Sequence, residues 1–443
     1  MALARARTAA PSPRPTRPTA PERTIERTTA TMTRPRALPL SAVLTALALT
    51  LTACGDGNDT PDADENALNL GILYPQTGSL AYLGPSQLSA TEYAIEEINA
   101  AGGVLGTDMP APVQGDEADD EGRANDAANT LIADGSDAII GAASSGMTQA
   151  VHDTVASAGI PQCSGSATAP DLTDIDDGGN FYRTAPSDLL AGPVLAQEIL
   201  DDGHQNVALI ARADDYGSGY LQAVQNELRS NGAQVPVAET YDPDTTNFGS
   251  VVESVNGDDV DAVSLISFEE GTQILAALIE AGFDGDQLYV TDGLNDPDLG
   301  STVSGNTDLV NGVTGVAPSA DNPEFSQGIS DFDSDLEVFQ FAPQVFDCVN
   351  LVALAAESAG STDPAEYAPH VDEVSRPEGT ECGSFEECRD LLDDGQDIDY
   401  QGASGNIDLD DNGDPTAATF EVFHWDDDGH GVREYVDYSG EEN

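Results

Sequence analysis

A strand–helix–strand pattern over residues 137–168 constrains the fold of this chain more than any other stretch. It reads DAIIGAASSGMTQAVHDTVASAGIPQCSGSAT. An apolar run ends at Gly141, apolar residues then follow at helical spacing from Met147 to Val155, and Gly159 ends the helix. A second short apolar run comes next. The pattern predicts two neighbouring parallel strands joined by a helix, which is the repeating unit of an α/β fold.

Both predicted strands end in hydroxyl side chains. Ser145 follows the first strand and is predicted as the N-cap of the helix, while Ser166 and Thr168 follow the second strand. Free N–H groups at a helix start attract a carboxylate, and ligands of α/β sheets bind at the carboxyl ends of the strands. The sequence therefore predicts a small-ligand site here, with ordinary caps and turns as the alternative.

The same alternation of strands and helices continues along the chain. Predicted strands include Leu68–Tyr74, Asn206–Ala211 and Ala262–Ile266, and a weaker strand is expected near Val113. Two such α/β series are separated near residue 185. A less regular third part contains a long predicted helix, Phe341–Ala359, and ends in antiparallel strands. We therefore predict an α/β protein with two parallel sheets.

The charge balance excludes several classes of partner. The chain carries 80 acidic residues against 15 basic ones, all of them Arg, for a formal net charge of −65. Such a charge opposes binding to nucleic acid or to an anionic membrane surface. The acids are spread through the sequence, so we expect an acidic, solvated surface suited to high salt, where screening weakens self-repulsion.

The N-terminal region predicts export. Two Arg residues precede the apolar run 37–51, which is short for a membrane span, and small residues follow at Leu51-Thr52-Ala53-Cys54-Gly55. This sequence resembles a bacterial lipobox, which implies that Cys54 is lipidated and anchors the protein to the outer face of the membrane. An ordinary signal peptide with an incidental Cys is the alternative.

The same region sets the first two predicted segments. Residues 1–53 are interpreted as an N-terminal extension with the lipoprotein signal peptide, and residues 54–66 as a flexible tether. The sequence leaves open whether translation starts at Met1 or at Met32.

Several motifs occur together in an order found in a known family. PQTGSLAYLG, AIEEINAAGGVLG, FYRTAPSD and YVTDGL resemble type I periplasmic solute-binding proteins, in particular the leucine/isoleucine/valine-binding proteins of ABC transporters. The resemblance implies two Rossmann-like α/β lobes with parallel sheets, joined by a three-strand hinge, with the ligand between them. It places residues 67–185 and 319–372 in the first lobe, and 186–318 and 373–443 in the second.

The resemblance also implies which residues contact the ligand. Ser145 and Thr168 match positions that hold the carboxylate of an amino acid, and Ser166 matches a backbone contact. Asp292 in YVTDG matches the acid that meets the ammonium group, where the family often has Glu. Chemistry agrees, because a buried Asp is costly unless it faces a cation. The matching aromatic positions are Tyr216, Phe268 and, on the first loop, Tyr82.

Four cysteines remain if Cys54 is lipidated, and they allow three pairings. Export favours disulfides. We expect Cys382 to pair with Cys388, since the two close a short local loop. The second expected pair, Cys163 with Cys348, would lie within the first lobe of the family pattern.

Other sites are not favoured by the sequence. Asp408, Asp410 and Asn412 match the first half of a calcium loop, but position twelve is Thr419 and Pro415 interrupts the motif. A turn is the preferred interpretation. No nucleophile elbow, zinc-protease motif or phosphate-binding loop occurs, so we expect no enzymatic activity, no cofactor and no metal.

These observations predict a monomeric lipoprotein that delivers a hydrophobic, branched-chain amino acid to the membrane subunits of an ABC permease. Two alternatives stay open. The same fold could bind another small solute, such as an amide, urea or a carboxylic acid, or the chain could be a ligand-sensing ectodomain. The side chain of the ligand is not specified by the sequence.

Overall fold

The computed structural model describes residues 66–175, 178–256, 260–304 and 307–440. The predicted export segment, Cys54 and all but the last residue of the predicted tether lie outside these residues.

Strands and helices alternate regularly as far as residue 319 and less regularly beyond it. In chain order the strands are β1 (Leu70–Tyr74), β2 (Val113–Asp116), β3 (Ala138–Gly141), β4 (Gln162–Ser164), β5 (Phe181–Arg183), β6 (Val207–Arg212), β7 (Ala238–Tyr241), β8 (Ala262–Ile266), β9 (Leu288–Thr291), β10 (Thr314–Ser319), β11 (Thr380–Cys382), β12 (Ile398–Gly402), β13 (Gly405–Asn406), β14 (Ala417–Asp426) and β15 (Gly429–Ser439). The α-helices are α1 (Gly84–Ala100), α2 (Glu121–Ala133), α3 (Ser145–Ala158), α4 (Asp188–Asp201), α5 (Asp215–Ser230), α6 (Gly249–Val255), α7 (Gly271–Ala281), α8 (Leu299–Ser304), α9 (Pro323–Phe332), α10 (Ala342–Ala359), α11 (Pro364–Tyr367) and α12 (Phe385–Asp393).

Five of the described strands form the first sheet, in the order β2-β1-β3-β4-β5, and all are parallel. Leu73 and Ile139 pack against helices α2 and α3 on one face, while Leu70 and Ile72 join the core with α1 and α10 on the other. The weakly predicted strand near Val113 is confirmed as β2. It lies at the sheet edge with Val113 exposed, which explains its faint apolar pattern.

Seven of the described strands form the second sheet, in the order β15-β14-β10-β9-β8-β6-β7. The strands from β6 to β10 are parallel, whereas β14 and β15 form an antiparallel hairpin that extends the sheet beyond β10. Alternate residues of β6 pack into different cores, with Leu209 on one face and Ile210 on the other. Both faces are therefore covered, as parallel sheets require.

Each sheet with its helices forms one lobe, and the chain passes between the lobes three times. It leaves the first sheet after β5, returns after β10, and crosses again between β13 and β14. The predicted fold class, two α/β lobes with parallel sheets, is confirmed.

The predicted assignment of residues 373–443 to the second lobe does not fit the packing of their first half. Helix α12 and strand β12 contact α10. Cys382, Phe385 and Tyr400 share the hydrophobic core of the first sheet. Only β14 and β15 join the second sheet, because the third crossing comes later, over residues 407–416.

The structure contains both predicted disulfides. Cys163 of β4 is bonded to Cys348 of α10, and Cys382 of β11 is bonded to Cys388 of α12. The first of these bonds joins two elements of the first lobe that are 185 positions apart, and the strands β6 to β10 of the second lobe lie between them in sequence. The second closes a loop of only 6 residues.

Neither a membrane span nor a metal cluster is found in the described part of the chain. No helix there is long and apolar enough to cross a bilayer, and no group of three or more His, Cys, Asp or Glu is placed to hold a metal ion. The acidic motif at residues 408–415 forms a tight turn closed by a bridge between Leu409 and Pro415 and by the Gly413 N–H bond to the Asp410 carbonyl.

Candidate functional site

The loop after β3 differs from the prediction in one respect. Ser144, not Ser145, is the N-cap of α3, and its Oγ accepts the N–H of Met147 at 3.3 Å. Ser145 is the first helical residue. Its buried Oγ is therefore released from capping and accepts the backbone N–H of Ala169 at 3.1 Å.

The two backbone N–H groups just before the first helical residue are also bonded within the protein. The side chain of Glu117, which follows β2, accepts the N–H of Ala143 at 2.6 Å and that of Ser144 at 3.2 Å. Burial raises the pKa of Glu117 to about 8, although the two N–H bonds oppose the shift. A carboxylate of the protein thus takes up the N–H groups of Ala143 and of the N-cap Ser144, directly before α3.

The loop of residues 166–169 follows β4 and carries two of the predicted site residues. The Ser166 hydroxyl accepts a bond from the Gln87 side chain at 3.1 Å and donates to the Ala143 carbonyl at 3.1 Å. The Thr168 hydroxyl is buried and forms no hydrogen bond to any described residue.

Asp292 lies at the carboxyl end of β9, where the chain enters a short 3₁₀ turn, Asp292–Leu294. Its side chain is 5% exposed, and Oδ1 accepts the hydroxyl of Tyr216 at 2.8 Å. Burial raises the pKa of Asp292 to about 7, because the charged carboxylate has lost water and the bond from Tyr216 compensates only in part.

Tyr216 and Phe268 form an aromatic wall beside this carboxylate. Tyr216 lies in the first turn of α5 and also bonds the Thr291 hydroxyl at 2.6 Å. Its ring stacks on Phe268 with 5.1 Å between centroids. The guanidinium of Arg212 lies 3.6 Å from the centre of the Phe268 ring, within the range of a cation–π contact.

The two lobes meet at the main chain of Asp292. The half-buried Tyr82, on the first loop of the first lobe, donates its hydroxyl to the Asp292 carbonyl at 3.0 Å. Gln340 donates to the same oxygen at 2.9 Å. A further contact between the lobes joins Arg212 to Asp119 at 3.4 Å. The site is therefore enclosed by both lobes.

A second acid, Asp188, lies between the two parts of the site. It is the first residue of α4, and its N–H donates to the Thr168 carbonyl at 2.8 Å. The side chain is 0% exposed, and neither carboxylate oxygen has a hydrogen-bond partner among the described residues. Burial, and then the charge of Asp292, raise the pKa of Asp188 well above its ordinary value.

Other groups around Asp188 complete this environment. The Thr168 hydroxyl and then the charge of Arg183 lower the pKa of Asp188, against the larger effect of burial, although no hydrogen bond of ordinary geometry joins Thr168 to the acid. The buried hydroxyl of Tyr220 is also without a partner in the described part of the chain. Both acids raise the pKa of Tyr220, after the larger effect of burial, so this ring faces the same charges.

The structure thus connects the predicted residues into one site. The Ser145 Oγ accepts the N–H of Ala169, the residue that follows Thr168. The Thr168 carbonyl accepts the N–H of Asp188, and the charges of Asp188 and Asp292 interact. The site combines the neutral hydroxyl groups of Ser145 and Thr168 with two buried acids, and Asp188 lies directly beside Thr168. Such a site is suited to a small molecule with a negative end and a positive end.

Asp188 was not predicted as a site residue, although it is the last residue of the FYRTAPSD motif. A sequence signal existed, since an acid followed Ser187 directly at the first crossing between lobes. The burial of Asp188 depends on packing of α4, in the second lobe, against the 166–169 loop of the first lobe. A local sequence pattern does not predict such packing.

Comparison with known proteins gives a consistent result. The family described as receptor family ligand binding region matches residues 86–428. The Leu/Ile/Val-binding protein BraC3 of Rhizobium johnstonii is 24% identical over 363 residues, 81% of this chain and 92% of that protein. The chemotactic signal transduction system substrate-binding protein BasB of Halobacterium salinarum is 28% identical over 355 residues, 77% of this chain and 83% of that protein.

Solved structures agree on the fold. The branched-chain amino acid transporter substrate binding protein LivJ of Streptococcus pneumoniae, determined in complex with isoleucine, has a TM-score of 0.69 at 20% identity. The similarity covers 84% of this chain and 99% of that one.

Proposed function

Because this chain belongs to the protein family described as receptor family ligand binding region, we propose that it is the substrate-binding protein of an ABC transporter. It binds a branched-chain or similarly hydrophobic amino acid between its lobes and delivers it to the permease. The protein performs no chemical step. Ligand bridging both lobes favours the closed arrangement, and the permease recognises that state.

The observation that supports this proposal is the buried pair Asp188 and Asp292, whose charges interact next to the unpartnered hydroxyl of Thr168. Two enclosed acids are costly unless a cation accompanies them. A primary ammonium group supplies one positive charge and three N–H donors, which matches the unpartnered oxygens of Asp188 and the remaining oxygen of Asp292. A ligand with no cation leaves these acids unpaired.

With the ligand ammonium at the two acids, the other predicted site residues are assigned to the ligand carboxylate and to its hydrocarbon part. The ligand carboxylate is held by the Ser145 and Thr168 hydroxyls, with a backbone contact at Ser166. Its hydrocarbon part lies against apolar and aromatic side chains. These are Tyr216, Phe268 and Tyr82.

Matched ligands test the proposal. Leucine, isoleucine and valine are compared in thermal shift and titration calorimetry with 4-methylpentanoic acid, which lacks the ammonium group, and with isoamylamine, which lacks the carboxylate; urea represents the amides. We expect only the amino acids to bind. Tighter binding of 4-methylpentanoic acid than of leucine would instead support the carboxylic-acid alternative.

A sensing role is the second candidate, and the similarity to BasB favours it. The same ligand-bound protein would then report to a signalling partner instead of a permease. Deletion of the gene in the source organism separates the two roles. Loss of radiolabelled leucine uptake supports transport, whereas retained uptake with lost migration toward leucine supports sensing.

We propose further that the mature protein is a monomer held on the outer face of the cell membrane by lipid on Cys54. The LTAC-G sequence supports this location. Replacement of this residue, Cys54→Ser, should move the protein from the detergent phase to the aqueous phase in a partition experiment. Partition into detergent that is unchanged by the substitution would rule out this anchor.

The acidic composition supports a further proposal, adaptation to high salt. With a formal net charge of −65, self-repulsion opposes folding at low ionic strength. The melting temperature should rise steadily as KCl is increased from dilute buffer into the molar range. A melting temperature independent of KCl would contradict this proposal.

A further inference from the structure

Arg183 is a completely buried arginine that the proposed function does not use. It ends β5, at the point where the chain first leaves the first sheet. Only seven of the 15 Arg residues lie beyond residue 36, so a buried guanidinium in this acidic chain needs an explanation. All three of its nitrogens form hydrogen bonds within the protein.

One side of the guanidinium holds the 166–169 loop. Nη1 donates to the Ala169 carbonyl at 2.9 Å and to the Ala167 carbonyl at 3.3 Å. These two carbonyls flank Thr168. The N–H of Ala169 in turn donates to the Ser145 Oγ. The loop that carries Thr168 and donates to Ser145 is therefore held at two of its carbonyls by one cation.

The other side of the guanidinium holds the third crossing between the lobes. Nε and Nη2 of Arg183 donate to the two carboxylate oxygens of Asp414 at 2.6 and 2.5 Å. Thr173 adds a hydroxyl bond to the same carboxylate at 2.6 Å. Such a paired, charge-assisted contact is both strong and directional.

The acidic turn at residues 408–415 is built to present Asp414. Asp410 Oδ1 accepts the N–H of Asp414 at 3.1 Å, and the Gly413 carbonyl accepts the N–H of Arg183 at 3.0 Å. Gly413 has a φ of +77°, and a Cβ there would lie 2.6 Å from the Phe181 carbonyl oxygen. The motif that resembled a calcium loop thus fits closely against the end of β5.

We propose that Arg183 is a positioning residue, and that the Arg183–Asp414 ion pair fixes the 166–169 loop to the hinge in the geometry that binds the ligand carboxylate. The ion pair joins the first crossing to the third, so hinge and ligand loop share one anchor. The inference rests on the proposed function for its effect on affinity, while its effect on the loop is independent of any ligand.

Lysine is the informative substitution because it keeps the positive charge but lacks the planar guanidinium with its several N–H donors. A single ammonium group cannot reach both Asp414 oxygens and both loop carbonyls. Arg183→Lys is therefore compared with Asp414→Asn, which removes the partner charge at constant size. The matched control is Arg389→Lys, because Arg389 also donates to a backbone carbonyl of the first lobe, at Ala101, away from the 166–169 loop.

Two measurements are made at a temperature where circular dichroism shows each variant folded. Hydrogen exchange of the ligand-free protein follows a peptide spanning residues 164–172, with a peptide of β8 as reference. Calorimetry gives the Kd for leucine. We expect Arg183→Lys and Asp414→Asn to speed exchange in the 164–172 peptide only and to weaken leucine binding about tenfold or more. Arg389→Lys should change neither.

The outcomes separate the two claims. Unchanged loop exchange in both Arg183→Lys and Asp414→Asn overturns the positioning role, and so does faster exchange spread equally over all peptides. If Arg183→Lys does not fold, Asp414→Asn alone decides. If the wild-type protein binds no amino acid, the proposed function fails, and the exchange experiment still tests the ion pair.

Discussion

The two ends of the candidate site are built on different principles. On the first-lobe side, Ser145 accepts the Ala169 N–H, Ser166 bonds on both sides, and Glu117 takes two backbone N–H groups. Among the acids, neither oxygen of Asp188, which lies beside Thr168, has a partner among the described residues, and Asp292 keeps one side-chain bond, from Tyr216. Apart from the Thr168 hydroxyl, the neutral end is satisfied by hydrogen bonds within the protein, whereas the acidic end is not.

This difference indicates where ligand selectivity resides. Groups that are already hydrogen-bonded gain little when a ligand arrives, whereas a buried unpaired acid gains much from a cation. The acidic end should therefore contribute most to affinity. It should also reduce the stability of the ligand-free protein, since its desolvation is not compensated.

The strongest test of this contrast is Asp292→Ala. The ligand ammonium loses its main partner, so we expect leucine affinity in calorimetry to fall by about 100-fold or more. The control is Asp298→Ala, an exposed acid six residues further on, which should leave the affinity unchanged. Wild-type leucine affinity in the Asp292→Ala variant would contradict the role of Asp292 as the partner of the ligand ammonium.

Asp188→Asn probes the same end with opposite effects on binding and stability. Leucine should bind about 30-fold more weakly, since one of two charges facing the ammonium is lost. The ligand-free protein should melt about 2 °C higher, because a buried acid without a hydrogen-bond partner has been removed. Calorimetry and thermal melting check both effects. A lower melting temperature together with unchanged affinity would mean that Asp188 serves the fold only.

The contrast also separates what the sequence can predict from what it cannot. The fold followed from strand–helix alternation, and the resemblance brought Ser145, Thr168 and Asp292 into one expected site. Capping by Ser144, the N–H bonds of Glu117 and the burial of Asp188 were missed. These features depend on contacts between residues far apart in sequence, such as Glu117 with Ala143, and a local pattern carries no information about them.

The pH dependence of binding comes from the acidic end. In the ligand-free protein the pKa of Asp292 is raised to about 7 from an ordinary value of 3.8, so the folded state holds more protons than the unfolded state between these values. Stability of the ligand-free protein should therefore fall as pH rises from about 4 to 7. The ammonium requires the ionised acid, so leucine affinity should rise in the same direction.

Calorimetry at pH 6 and pH 8 should show about tenfold tighter binding at pH 8. Asp188, whose pKa is also raised, contributes with the same sign. Glu117, with a pKa of about 8, titrates in the same range, and Glu117→Gln distinguishes its contribution. Equal leucine affinity at pH 6 and pH 8 would show that the ligand ammonium does not contact an acid that titrates in this range.

The smallest expected effects come from the neutral end, and they differ between its two hydroxyl groups. Thr168→Val removes a hydroxyl that has no partner among the described residues, so leucine should bind about fivefold more weakly while the ligand-free protein keeps its stability. Ser145→Ala also removes the acceptor of the buried Ala169 N–H.

That loss should lower the free energy of unfolding by about 1–3 kcal/mol in addition to a similar loss of affinity. Urea denaturation with and without leucine measures both quantities. If the two variants lost stability equally, the Thr168 hydroxyl would have a structural partner. If either lost as much affinity as Asp292→Ala, the neutral end would contribute as much as the acidic end, and the contrast between them would not hold.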